Sequence, residues 1–141
     1  MVIQRWQSVW LLFAAILVAI FCFMPVAVIT DTSAGLPADL TMADFPVIAV
    51  VNSLVALLLF IAIFLYKNTR VQKTVTLLSM LLICVVAAVT AILTFSGNDE
   101  ATRIEIGGSV VLLVGALVFA AMAYRGIRHD EKLLRAADRL R

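Results

Sequence analysis

The chain has 141 residues, of which 64% are hydrophobic and only 14% charged, with a formal net charge of +2. That balance leaves too little polar surface to cover an apolar core in water, so a soluble globular domain is excluded and lipid is the expected solvent. A single histidine, His129, excludes bis-histidine haem ligation within the chain, and no His, Cys and acid cluster has metal-ligand spacing, so no cofactor or metal is expected.

Charges are so sparse that four uncharged stretches stand out: Trp6 to Thr30, Phe45 to Tyr66, Thr74 to Asn98 and Ile106 to Tyr124, of 25, 22, 25 and 19 residues. About 20 residues at a rise of about 1.5 Å cross the roughly 30 Å hydrocarbon layer. A lone strand would leave its amides unpaired in lipid, and no alternating barrel pattern is present, so each stretch is expected to be a helix. The expected fold is an all-α membrane protein with four transmembrane helices at about residues 6–29, 46–66, 74–95 and 104–124. These form one bundle over residues 1–125, followed by a basic amphipathic tail helix over 126–141.

The first stretch follows a lone Arg5, and Thr32-Ser33-Ala34 loosely imitates a cleavage site, so it must be weighed as a signal peptide. Its length exceeds the 7 to 15 residues of a usual signal core, and Pro25 and Asp31 intervene, so it is expected to be retained as helix 1. Before helix 2, Pro46 suits the first turn, where its missing N–H costs nothing, and Asp44 is placed to cap it. Within helix 2, Asn52 and Ser53 are the most polar pair at membrane depth. Asn52 is expected to be packing glue, with an interhelical hydrogen bond worth about 0.6 to 2 kcal/mol.

Helix 3 carries Cys84, Ala87, Ala88 and Ala91 at three- and four-residue spacing. Helix 4 carries Gly108 and Gly115 one heptad apart, with Ala116, Ala120 and Ala123 below them. Small residues let helices approach closely in lipid, so a tight pairing of helices 3 and 4 is expected, with Ala88, Ala91, Gly108 and Gly115 at the contact. Thr102 and Glu105 have capping-box spacing before helix 4.

Orientation follows from the basic residues. With four crossings, ten of the eleven lie on one side: Arg5, then Lys67, Arg70 and Lys73, then six in the tail. The positive-inside rule makes that side cytoplasmic and places both termini there. All the Trp and Tyr residues, Trp6, Trp10, Tyr66 and Tyr124, fall at the same helix ends, the depth that amphipathic rings prefer.

Chemistry is not expected. Ion-coupled transporters need ionisable groups at membrane depth, and none is present; Glu105 lies at the outer edge of helix 4. Cys22 and Cys84 are lone residues with no C-x-x-C and no nearby cation to favour a thiolate, and no Ser/His or paired Asp constellation sits within the spans.

The tail is different. Gly126 is placed to end helix 4 with a positive φ. Beyond it, at 100° per residue, Arg125, Arg128, Lys132, Arg135 and Arg139 fall within an arc of about 80°, opposite Ile127, Leu133, Leu134, Ala137 and Leu140. Such a ridge of like charge suits a phosphate-rich or acidic partner. The plainer alternative is a solvated face that fixes topology and binds anionic lipid at about 1 kcal/mol per basic residue.

The opening MVIQRWQSVWLLFAAIL and the closing AYRGIRHDEKLLRAADRLR resemble a family of small four-helix membrane proteins of Bacteroidetes whose domain has no assigned function. The likeness spans the chain and is most specific at Ile3-Gln4-Arg5, Asp130-Glu131-Lys132 and Ala137 to Arg141. It implies an inner-membrane location and four helices, and no activity. The functional expectation is a non-enzymatic subunit or accessory of a larger membrane assembly, in contact with membrane lipids and with a membrane-protein partner or further copies of itself. Its tail, through Arg125, Arg128, Lys132, Leu133, Leu134, Arg135, Arg139 and Leu140, would meet lipid, an acidic protein or the ribosome. The alternative is a solute- or lipid-handling protein with a cavity among the helices.

Overall fold

The computed structural model describes residues 2–25, 27–31, 37–40, 45–96, 102–106 and 110–140. Four helices dominate: α1 (Val2–Phe23), α2 (Pro46–Phe64), α3 (Thr69–Ser96) and α4 (Val110–Arg139), each with a segment long and apolar enough to cross a membrane. The chain is a multi-pass membrane protein. Among the described residues three short strands lie in the connections, β1 (Ala27–Asp31), β2 (Pro37–Leu40) and β3 (Thr102–Ile106).

Burial along the helices follows a strict rhythm. Buried positions are Gln7, Leu11, Ala14, Val18 and Phe21 on α1, with Ala15 beside Ala14, and Ile48, Asn52, Val55, Leu59 and Ala62 on α2. They are Gln72, Thr76, Ser79, Ile83, Val86 and Thr90 on α3, and Leu113, Ala116, Ala120, Ala123, Ile127 and Asp130 on α4. Steps of three and four alternate throughout, the spacing that keeps one seam of each helix facing its neighbours in an antiparallel bundle. Each helix packs on the two that flank it, in the cyclic order α1, α2, α3, α4, with α1 against α4 the most extensive pair. The opposite faces carry large exposed apolar side chains such as Phe13, Ile16, Leu57, Phe60, Leu81 and Val118, a surface suited only to lipid or another protein.

α3 and α4 pack on one another, though less extensively than α1 and α4. Gly115, expected at the α3 contact, lies instead against α1: a Cβ there would come within 3.2 Å of Leu17 Cδ1. On α3 the seam is polar and aliphatic rather than small, with Cys84 and Ala88 exposed and Ala91 half-buried. Its hydroxyls are satisfied within the helix, Thr76 donating to the Gln72 carbonyl, Ser79 to Val75 and Thr90 to Val86.

Helix limits also differ from those that charge alone sets. α1 stops at Phe23 rather than near residue 29, because Pro25 cannot continue a helix and the β-branched residues beyond it suit a strand. The strands form an antiparallel sheet in the order β2-β1-β3. Its register pairs Ala27 with Leu40 and Ile106, and Ile29 with Ala38 and Ile104, while Val28 meets Asp39 and Glu105. The outer strands β2 and β3 thus alternate apolar and polar residues against β1, which is apolar from Ala27 to Ile29. Thr102 and Glu105 belong to this sheet and not to a capping box, so helix 4 begins at Val110 instead of near residue 104. The sheet also qualifies the all-α expectation, which holds for the four spanning elements and not for their connections.

α2 begins with Pro46 at its first turn, and Phe45 holds the cap position with no side-chain cap bond. Asp44 lies outside the described residues. A tight turn through Leu65–Lys67 leads into α3, which starts five residues earlier than expected, and the buried Gln72 donates to the Ala62 carbonyl at the end of α2. Basic residues mark where lipid ends; a helix can run past them into water.

Candidate interaction surface at the end of α4

The apolar part of α4 ends at Tyr124, and the helix then runs on through Gly126 to Arg139 without a break. The expected helix end at Gly126, and with it a separate tail helix over 126–141, is replaced by one 30-residue helix. Gly126 has a different task. A Cβ there would lie 2.9 Å from Cγ of Gln7, so the absent side chain is what lets α4 close on the start of α1. One turn further, Gln7 Nε2 donates to Asp130 Oδ2 at 2.7 Å, and both residues are buried, with Asp130 only 7% exposed. Ile127, between Gly126 and Asp130 in the sequence, is fully buried. Trp10 of α1 stacks on Phe119 of α4 at a centroid distance of 5.5 Å, one level deeper.

The neighbouring Glu131 ties in a third helix. Its carboxylate accepts from Lys73 Nζ of α3 at 3.0 Å and from Arg135 of α4 at 2.7 Å. The Lys73 hydrogen bond holds the Glu131 carboxyl below its ordinary range, partial desolvation opposes this, and the charges of Lys73 and Arg135 add to the lowering. Both acids of the Asp130-Glu131 pair are therefore committed to α1 and α3.

What remains outward is mostly basic and apolar, with Asp138 the one exposed acid beyond Glu131 among the described residues. Arg125, Arg128, His129 and Lys132 line one shallow depression; Arg128 and Lys132, with Lys73, Glu131 and Arg135, line the next. From Lys132 to Leu140 every residue is exposed, so the last two turns of α4 stand clear of the bundle, with Leu133 50%, Leu134 52% and Leu140 90% accessible. Arg135 and Arg139 share this projecting segment.

The other residues singled out from the sequence are dispersed. Asn52 is buried in the seam, and its amide donates to the Val18 carbonyl at 3.1 Å and to Cys22 Sγ, joining α2 to α1. Ser53 turns outward and bonds its own helix at Ala49. Gly115 lies on the α1 contact, while Gly108 falls outside the described residues. Sequence reasoning missed Gln7, Lys73, Asp130 and Glu131 as a group. A signal existed: Ile127 and Asp130 continue the three-and-four rhythm of Ala116, Ala120 and Ala123, so the seam had to extend past Gly126.

A family model described as a domain of unknown function (DUF4293) matches residues 3–140. The chain belongs to that family. The match takes in the whole DUF4293 bundle and its α4 extension, so the projecting segment is part of the family domain and not an appendage to it. No curated protein and no solved structure matches the chain.

Proposed function

We propose that the protein is a non-enzymatic subunit or accessory of a larger assembly in a bacterial inner membrane, and that the end of α4 docks a cytoplasmic protein partner. The observation that carries this reading is the exposure of Leu133, Leu134 and Leu140 on a helix that runs straight out of the bundle, flanked by Lys132, Arg135 and Arg139. Leu133, Ala137 and Leu140 recur at steps of four and three, the pattern of a helix laid into an apolar groove. The surrounding cations favour an acidic rim on that groove. A ribosomal RNA surface would use the cations and leave the leucines in water.

Both termini face the cytoplasm in this reading, supported by ten of eleven basic residues on that side and by the Trp and Tyr residues at the same level. Reporter fusions after Asn68 and Arg141 should behave as cytoplasmic, and one inserted at Gly35 as exported. The partner reading is tested by a photo-crosslinking residue placed at Leu134 in growing cells, with Val118 as a lipid-facing control. A discrete adduct with a second protein at Leu134 and none at Val118 is the expected outcome. Adducts only with the chain itself, or none, would sink the accessory role.

The lipid-handling alternative has one observation in its favour, an apolar groove on the outside of α1 and α2 lined by Ala15, Ala19, Ser53 and Ala56 between Leu12, Ile16, Leu57 and Phe60. It opens sideways and would hold an acyl chain at the bundle surface.

A further inference from the structure

The basic residues of α4 divide by depth. Tyr124 and Trp6 are rings of the kind that settle at headgroup level, and Gly126 and Asp130 are fixed against Gln7 at that same level. Each headgroup layer is about 5 to 8 Å thick, half the difference between the whole bilayer and its hydrocarbon core. At about 1.5 Å per residue Arg125 enters this layer at once, and Arg128 and Lys132 begin about 6 and 12 Å past Tyr124, within reach of it on long side chains. Arg139 begins more than about 20 Å past Tyr124 and is out of reach.

The helix that carries the proximal residues is also held in place, and the nearest acid, Glu131, is taken up by Lys73 and Arg135. The Gln7 to Asp130 bond and the Lys73 to Glu131 bond clamp α4 on two sides, so the face bearing Arg125, Arg128, His129 and Lys132 has a set direction, away from the seam. The two adjacent acids are turned to α1 and α3, and among the described residues none of the four has an ion-pair partner. Two guanidinium groups, an ammonium and an imidazole around one depression suit a phosphate, which guanidinium binds through paired N–H donors.

We propose that Arg125, Arg128, His129 and Lys132 bind the phosphate of an anionic phospholipid of the adjacent leaflet. The site deepens the reading of the tail yet needs only that the bundle crosses a bilayer; it does not need a protein partner on Leu133, Leu134 and Leu140.

The test uses the full chain in detergent, with bound lipid counted by native mass spectrometry after exposure to equal amounts of phosphatidylglycerol and phosphatidylcholine. Wild type should retain phosphatidylglycerol preferentially. Arg128→Gln should weaken its retention about fivefold, the equivalent of one basic residue near an anionic surface. The combined Arg125→Gln, Arg128→Gln and Lys132→Gln variant should retain both lipids equally, while Arg135→Gln with Arg139→Gln should match wild type. All these side chains are exposed, and unchanged helical circular dichroism verifies that the variants fold. Equal retention by wild type, or an equal loss in the distal variant, would overturn the proposal. Excess inorganic phosphate should leave the retained lipid in place; if it displaces the lipid, the site takes free anions and the lipid assignment fails. Loss of the Leu134 crosslink with lipid preference intact would overturn the partner reading alone.

Discussion

The two faces of these helices differ in kind: the seam mixes Phe21, Leu11, Leu59 and Ile83 with alanines and with the polar Gln7, Asn52, Gln72, Thr76, Ser79 and Asp130, whereas the outer surface carries the large apolar Phe13, Ile16, Leu57, Phe60 and Leu81. In water the larger apolar side chains would be drawn inward. In lipid they gain nothing by burial, because acyl chains are as apolar as leucine. What holds the bundle is close approach and hydrogen bonding, and these need small and polar residues where helices meet. Gly115 and Gly126 bring α4 near α1, Gln7 of α1 finds its acceptor on α4, and Asn52 of α2 finds one on α1.

The contrast is broken most directly by putting bulk on each side of it. Ala120 is fully buried and Val118 is 52% exposed two residues away. Ala120→Phe should destabilise the bundle by about 3 kcal/mol, the upper end of overpacking costs, while Val118→Phe should change it by less than about 0.5 kcal/mol. Unfolding in mixed micelles of rising SDS fraction measures both, and equal effects would mean that the seam is misassigned.

A smaller loss is expected from Asp130→Ala, which leaves the buried Gln7 amide without its acceptor at a cost of about 2 kcal/mol. Asp130→Asn keeps an acceptor and should recover most of that loss. If Asp130→Ala were neutral in the same unfolding titration, the end of α4 would not be clamped to α1.

The least effect belongs to Glu131. Its carboxyl is lowered from the ordinary value of 4.5, so its bonds to Lys73 and Arg135 contribute fully above pH 4.5 and are lost as pH falls below it. Amide hydrogen exchange over residues 131–139, corrected for intrinsic rate, should therefore rise on acidification below pH 4.5 and be flat from there to neutrality. Glu131→Gln should remove the pH dependence.

Four spans were legible because charge is scarce in this chain and marks each exit from lipid. The seam was not, since a helix apolar on every side gives no stripe to read, and the alanines of α3 were as plausible a contact as those of α4. The sheet was hidden in a similar way: Ala27 to Thr30 continue the apolar run of α1, and only Pro25 separates them. Thr102 to Ile106 does alternate, but Thr102 and Glu105 also match a capping box, and one sequence cannot choose between the two. The basic ridge was visible in full, whereas the burial of Asp130 depended on Gln7, 123 positions away.

That same separation governs the order in which the molecule is completed. α1 and α4 are joined twice, by β1 and β3 at one end and by Gln7 and Asp130 at the other, yet they are the first and last helices to be made. Until α4 arrives, the newly inserted α1 has Asn52 of α2 to bond it at Val18 and Cys22 but nothing to pair with Gln7. A half-made chain therefore waits in the bilayer with an open side, which α4 closes, while β1, already able to pair with β2, gains β3 as its second neighbour just before. Truncation before α4 would leave no smaller version of this bundle, only three helices still in search of their partner.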